Sequence, residues 1–369
     1  MKRHTLTIAV LVLPLLLCRG GFTQTTPPNT PAQVSTIDIG SLDLSVPESP
    51  AFVVLGVTPQ TITRPTSPRS LATSLLNGVD QNGNFQTGFA LDTSPYMLYW
   101  GNKLTIQEYQ DSRWKQFLAR TTLSVGTTKG TTSSDSATRL AVGIRFTIFD
   151  KGDPRLDEQY LEDLDKAVQA VLDATTPVPP GSSTEDVDKH EKALTELIKN
   201  KTGPIDTARE NARKANWNKS SMVVAFAPSW ISKSGGSSDL SYNGGAAWAS
   251  LALQVRTFGQ AVFYGQYQNK QSIPDPLNKG QYFLQESTFA GGQMRLGNAN
   301  TQGILEAVYL HNTPQGKSSQ NSGRFSVGAE RRLADNLWLH VGVGGQTGAA
   351  NPNNKMFVLS TLKWGFGGK

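Results

Sequence analysis

The sequence predicts an all-β chain: an antiparallel, up-and-down β-barrel that crosses a membrane and carries one helical insertion. Three observations predict it. Segments with two unlike faces recur from residue 86 to the C-terminus, long and short connections alternate between them, and aromatic residues gather near segment ends.

Composition sets the frame. Only 37% of the 369 residues are hydrophobic, 35 are glycine, and the mean hydropathy is −0.33. Beyond the N-terminus no apolar run approaches the roughly 18 residues a spanning helix needs. That excludes a helical membrane protein. A membrane β-barrel survives, because its strands need apolar residues only at alternate positions.

The first twenty residues predict a secretory signal peptide: basic "MKRH", the apolar core "LTIAVLVLPLLL", then small residues. Cleavage after Gly20 or after Thr23 fits equally. Cys18, the only cysteine, follows Leu17 where a lipidation site takes a small residue; its lipidation is left open. Without Cys18 the mature chain has no thiol, disulfide or thiolate metal site. Residues 21–49 are polar and rich in Pro, Ser and Thr, the composition of a flexible leader. Residues 50–85 form a connector. Within it "AFVVLGV" fits a strand or a buried connector, and "SPRSLATSLLNG" predicts a short helix. Ser67 is its N-cap, Pro68 fits its first turn, Leu71, Leu75 and Leu76 share a face, and Asn77-Gly78 ends it.

The barrel is expected over 86–369, with strands near 87–100, 117–128, 137–149, 219–231, 244–256, 259–269, 281–296, 301–312, 323–333, 337–346 and 355–367. In "LWLHVGVGG", Leu337, Leu339, Val341 and Val343 lie opposite Trp338, His340, Gly342 and Gly344. "RLAVGIRFTIF" sets Leu140, Val142, Ile144, Phe146 and Ile148 against Arg139, Gly143, Arg145 and Thr147. "FLARTTLSVG" sets Phe117, Leu123 and Val125 against Arg120, Thr122 and Ser124. The pattern weakens where Glu286 and Glu306 interrupt apolar faces. Eleven segments are counted. "PAFVVLGV" would make twelve, the favoured number because an even count returns both ends to one side; ten results if 87–100 is a plug element.

Connections 347–354, 313–322, 270–280 and 232–243 are long, whereas 334–336, 297–300 and 256–259 are tight. Outer-membrane barrels alternate in this way, with short turns on the periplasmic side. Residues 150–218 break the pattern. Tyr160, Leu164, Val168, Val171 and Leu172 recur at helical spacing, as do Leu194, Leu197 and Ile198, predicting a charged helical insertion at the tight-turn end. Trp100, Trp230, Trp248, Trp338, Trp364 and Phe366 lie near expected strand ends, where amphipathic rings would sit at a membrane–water boundary.

With these features and its last strand "MFVLSTLKWGF", where Val358, Leu362, Trp364 and Phe366 share one side, the chain resembles bacterial outer-membrane β-barrel proteins as a class over residues 86–369. The resemblance implies an outer-membrane location, a surround of membrane lipid and recognition by barrel-assembly machinery. The closing Gly-Gly-Lys departs from the usual aromatic end.

If the aliphatic faces meet lipid, Arg120, Arg139, Arg145, Arg256, Arg295, Arg324, Arg332 and His340 are expected to line the lumen. The net charge of +6 falls as the signal removes Lys2, Arg3 and Arg19. Arginine rings favour anions, so the first expectation is a passive channel or small-solute transporter with a mildly basic lumen and a small anionic solute. The alternative is a closed barrel serving as a surface or assembly scaffold. There the arginines pair with Glu286, Glu306, Glu330 and insertion carboxylates, and the insertion is a docking element. A barrel-wall lipid-modifying enzyme, suggested by His311 and Ser322 flanking one loop, is a third. No catalytic motif, metal spacing, cofactor site or nucleic-acid recognition motif is legible.

Overall fold

The computed structural model describes residues 49–364 apart from 56–62, 66, 77, 79–83, 85, 102, 131–134, 136, 176–182, 200–202, 235–236, 276–277, 279, 335–336 and 349–350. The expected signal peptide, the leader up to residue 48 and Phe366 lie outside the described residues.

In chain order the elements are α1 (Pro50–Leu55), α2 (Pro68–Leu76), β1 (Ala90–Thr93), α3 (Pro95–Trp100), α4 (Ile106–Asp111), α5 (Arg113–Arg120), β2 (Thr122–Lys129) and β3 (Thr138–Asp150). The insertion follows with α6 (Glu158–Thr175), α7 (Thr184–Lys199) and α8 (Pro204–Asn216). Then come β4 (Ser221–Ser232), β5 (Ser241–Val255), β6 (Gly259–Pro274), β7 (Tyr282–Gly297), β8 (Thr301–Pro314), β9 (Gln320–Ala334), β10 (Leu337–Gly348) and β11 (Asn351–Trp364). All eleven strands form one antiparallel sheet in sequence order, β1 to β11. The chain is all-β with a helical insertion.

Sequence periodicity located nine strands closely, from β3 to β11. Two expected N-terminal strands differ. The segment 87–100 gives only the four-residue β1, because Ser94-Pro95 starts α3 with proline in its first turn. The segment 117–128 becomes strand only at Thr122. Ser112 caps α5 by accepting from Lys115 N, and good helix formers carry the helix through Arg120. "PAFVVL" is α1, a helix, so no twelfth strand comes from it. The expected short helix is α2, with Ser67 Oγ accepting from Ser70 N at 3.2 Å. Three of the expected long connections are shorter than the sequence suggests: β6 to β9 run 14 to 16 residues and leave only 275–281 and 315–319, while β10 reaches Gly348 and β11 starts at Asn351, leaving only 349–350.

The sheet curls. Arg139 on β3 donates to Ser272 O on β6 at 3.4 Å, although three inter-strand steps of about 4.8 Å would separate those strands by about 14 Å if flat. Tyr282, at the start of β7, donates from its hydroxyl to Asp135 just before β3 at 3.1 Å. The inner face holds α1. Phe52 and Val54 are buried with Ala90, Ala141, Ala225 and Ala227 on one side, and with Trp248, Tyr264, Phe289, Val308 and Leu310 beyond them. Small residues on β1 to β4 make the seat; large ones on β5 to β8 wall it.

Candidate functional site

Two glycines explain why a helix fits inside the sheet. A Cβ on Gly143 would stand 2.5 Å from Pro50 Cβ, and one on Gly126 would stand 2.6 Å from the Phe52 ring. Neither position has room for a side chain while α1 is in place. Polar contacts fix the helix further: Ala51 N donates to Ser124 Oγ at 2.8 Å, and the Ser49 hydroxyl donates to Asp92 Oδ1 at 2.8 Å. Burying Phe52 and Val54 contributes about 1.5–3 kcal/mol each relative to exposure.

Cross-strand pairing defines which predicted residues share this inner face. Arg145 pairs across to Ala225, which pairs to Trp248; Arg139 pairs to Ile231. Arg295 pairs to Ile304, Arg324 to Val308, and His340 to Glu330. Arg139, Arg145, Arg295, Arg324, Arg332 and His340 therefore stand on the inner face, the face that holds α1. Several are matched by carboxylates. Arg139 lies 2.8 Å from Asp135, Arg332 lies 2.8 Å from Glu210 of α8, and buried Arg324 is paired with buried Glu306. Gln293 donates to the second Glu306 oxygen at 3.1 Å and accepts from Arg295 Nε at 2.5 Å. Arg145 donates to Thr122 Oγ1 at 3.3 Å.

Two expected lumen residues lie elsewhere. Arg120 is on α5, not on a strand, and its Nε and Nη2 donate to Asp153 Oδ2 at 2.9 and 2.8 Å. Arg256 is exposed in the β5–β6 turn at φ +50°, where its carbonyl accepts from Asn218 Nδ2 at 3.0 Å.

Arg120 belongs to a cluster that sequence reasoning missed, because its members are spread from Tyr109 to Arg155, on α4, on α5 and in the turn that follows β3. Asp153, nearly fully buried, also accepts from the Tyr109 hydroxyl at 2.5 Å, from Arg155 Nη2 at 2.8 Å, and from the Arg155 backbone N at 2.9 Å. Arg155 and Arg120 both lie over the Tyr109 ring, at 4.2 and 5.6 Å. Burial opposes ionisation of Asp153, but the hydrogen bonds from Arg155 and Tyr109 more than offset it and hold the carboxyl well below the usual range. Burial and the bond to Asp153 push the Tyr109 phenol up to about 12. The cluster ties α4 and α5 to the start of the insertion.

The insertion docks on the tight-turn end, as the sequence predicts. Arg213 of α8 donates to Ala299 O at 2.5 Å and to Asn300 Oδ1 at 2.6 Å, in the β7–β8 turn. Glu210 joins Arg213 to Arg332, and these bonds lower its pKa to about 2.

The outer face is apolar and uncovered. Phe226, Phe263, Leu305, Tyr309, Phe325, Val327, Val341, Val343, Met356 and Val358 are exposed at 43–88%, spread over β4 to β11. Of the expected boundary aromatics, Trp100 is exposed at the end of α3, and Trp230 sits near the end of β4 in edge contact with Tyr242. Trp338 is half-buried near the start of β10 and pairs across to Arg332 on the inner face. Trp364 ends β11. Trp248 is buried at mid-strand in the core, so it is not a boundary residue. Sequence alone could not separate a ring near a strand end from one turned inward.

His311 Nδ1 lies 2.5 Å from Asn321 Oδ1 and its Nε2 3.1 Å from Thr313 Oγ1, which assigns its ring contacts to neighbours other than Ser322. Among the described residues no group of His, Cys, Asp and Glu could hold a metal ion, and no helix is long and apolar enough to cross a membrane. Compared with protein-family models, curated proteins and solved structures, the chain matches none.

Proposed function

We propose that this chain is an outer-membrane β-barrel that passes small solutes through a narrow interior partly plugged by α1. One observation carries the membrane reading: large apolar side chains from six strands, β4, β6 and β8 to β11, share the exposed face. Water tolerates contiguous apolar patches of only a few hundred Å² on a monomer, whereas hydrocarbon favours such a face. Free backbone edges are costly in hydrocarbon, so in this reading β11 comes round to meet the β1–β2 edge there. Without the four-residue β1, ten strands remain, β2 with 8 residues and β3 to β11 with 12 to 16. That even number puts the start of β2 and the end of β11 on the side of the β5–β6, β7–β8 and β9–β10 turns and the insertion, the periplasmic side in this reading.

The conduit reading rests on the inner face of β9 to β11. There Ser326, Gly328, Glu330, His340, Gly344 and Thr361 are small or polar and half-exposed, while α1 fills the opposite half. The second reading, a closed scaffold with the insertion as docking arm, is favoured by the pairing of Arg139, Arg324 and Arg332 with carboxylates. That pairing also weakens any strong anion preference. Planar-bilayer recording separates the two. The wild type should show small conductance, which rises in Gly143→Leu, where the new side chain displaces α1, and in a chain beginning at residue 56. Silence in all three would establish the scaffold reading instead.

A further inference from the structure

We propose that the cleft between α5 and the end of β3 binds the phosphate headgroup of an anionic phospholipid, with Arg113 and Lys151 as its anion ligands. The proposal rests on the membrane reading of the outer face. The cleft has a volume of about 350 Å³, near the lower end of the 300–1,000 Å³ typical of small-molecule sites. Its rim is basic: Arg113, Arg120 and Lys151 line it against a single lining carboxylate, Asp150. Arg120 is committed to Asp153. Arg113 and Lys151 are exposed, and among the described residues neither forms an ion pair. They are the charges left for a ligand.

The floor is apolar and continuous with the outer face. Phe117, Ile148 and Phe149 line the cleft, and Ile148 is 48% exposed. Phe117 stacks on Phe146 of β3 at 5.5 Å and 4°, and Trp114 stacks on Phe117 at 5.5 Å and 18°. This aromatic ladder begins at Trp114, which is 66% exposed, and descends the outer face. A basic rim above an apolar wall suits a molecule with a phosphate at one end and acyl chains at the other. The tryptophan stands where indole rings favour the membrane–water boundary, and lysine and arginine at that level attract anionic lipid. A soluble phosphate would use the rim and leave the ladder uncovered.

The test uses the full chain refolded into phosphatidylcholine vesicles with and without phosphatidylglycerol, followed by gentle detergent extraction and native mass spectrometry of retained lipid. The wild type should retain phosphatidylglycerol in preference to phosphatidylcholine. Arg113→Gln and Lys151→Gln should each reduce that retention about fivefold, the effect of one basic residue at an anionic surface, and Arg113→Lys should restore most of it. Brominated phosphatidylglycerol should quench the wild type more than Trp114→Phe. Equal retention of both lipids, or an unaffected Arg113→Gln/Lys151→Gln double variant, overturns the site while leaving the barrel reading intact. Equally tight retention of free glycerol phosphate would make it a soluble-anion site and also overturn it. Failure to insert into any vesicle would overturn the barrel reading together with this one.

Discussion

Asp153→Asn is the sharpest probe of how the helices are held to the sheet. The change keeps the shape of the side chain and removes its charge. Arg120, with 8% of its side chain exposed, then faces an amide instead of a carboxylate, and Arg155 and the Tyr109 hydroxyl lose the same partner. Removing one partner of a buried ion pair costs about 3–5 kcal/mol. At 1.4 kcal/mol per factor of ten, local opening of α4, α5 and the start of α6 should become at least a hundredfold more frequent. Amide hydrogen exchange and limited proteolysis of detergent-folded protein read this directly. Glu162→Gln, which breaks an exposed helical pair with Lys166, is the control and should leave exchange in α4 and α5 at the wild-type level, since exposed pairs are screened by solvent. Exchange in α4 and α5 that is equal in Asp153→Asn and wild type would refute the argument. The same cluster predicts an acid dependence. A carboxyl with a depressed folded pKa stabilises fully above its unfolded value of about 4, so the helices should loosen as pH falls below that value. They should not loosen between pH 5 and 8.

Val341 and His340 test the two faces of the sheet. Val341→Arg, on the exposed face of β10, should cost about 2–4 kcal/mol of barrel stability in lipid refolding, and His340→Ala much less; equal small effects would argue against a membrane. Glu210→Gln should release α8 from Arg332 and the β7–β8 turn, raising proteolysis of the insertion while strand protection persists. Its pKa of about 2 adds a second acid transition at the insertion, with stabilisation present above about pH 4 and lost as pH falls through 2. At the alkaline end, Tyr109 should help hold α4 until pH passes from 10 towards 12, visible as delayed phenolate absorbance that Tyr109→Phe removes.

Most of the sheet was legible in the sequence because the period-two signal is long and repeated. Val341 and Val343 are exposed and Gly342 is buried, as their alternation requires. The signal failed where few residues carried it. In 117–128 only Leu123 and Val125 truly alternated, and Ser112 with the following helix formers decided the first half. In 50–57 the short apolar run read as a strand or a buried connector, because periodicity alone does not separate a short strand from a buried helical segment; over Pro50–Leu55 the helix fits a seat of Ala, Ser and Gly residues contributed by β1 to β4. That seat was present in the sequence as unusually small inward positions, Gly126, Ala141, Gly143, Ala225 and Ala227. The Tyr109–Asp153 cluster left no such trace, because burial of a carboxylate depends on packing that no local pattern records.

The position of α1 also dictates an order of assembly. It precedes every strand, yet it packs on β2, β3 and β4 and reaches β5. Its seat is therefore complete when about two thirds of the chain has paired. A helix arriving after the sheet had curled would have to thread through an end, and connections in folded chains rarely thread. The early strands are thus expected to form around α1, and β5 to β11 to be added to a concavity already filled. In kinetic terms the helix is a template: weakening its seat should slow acquisition of the folded state more than it speeds unfolding. The same few residues that narrow the interior of the finished protein would then set the pace at which it forms.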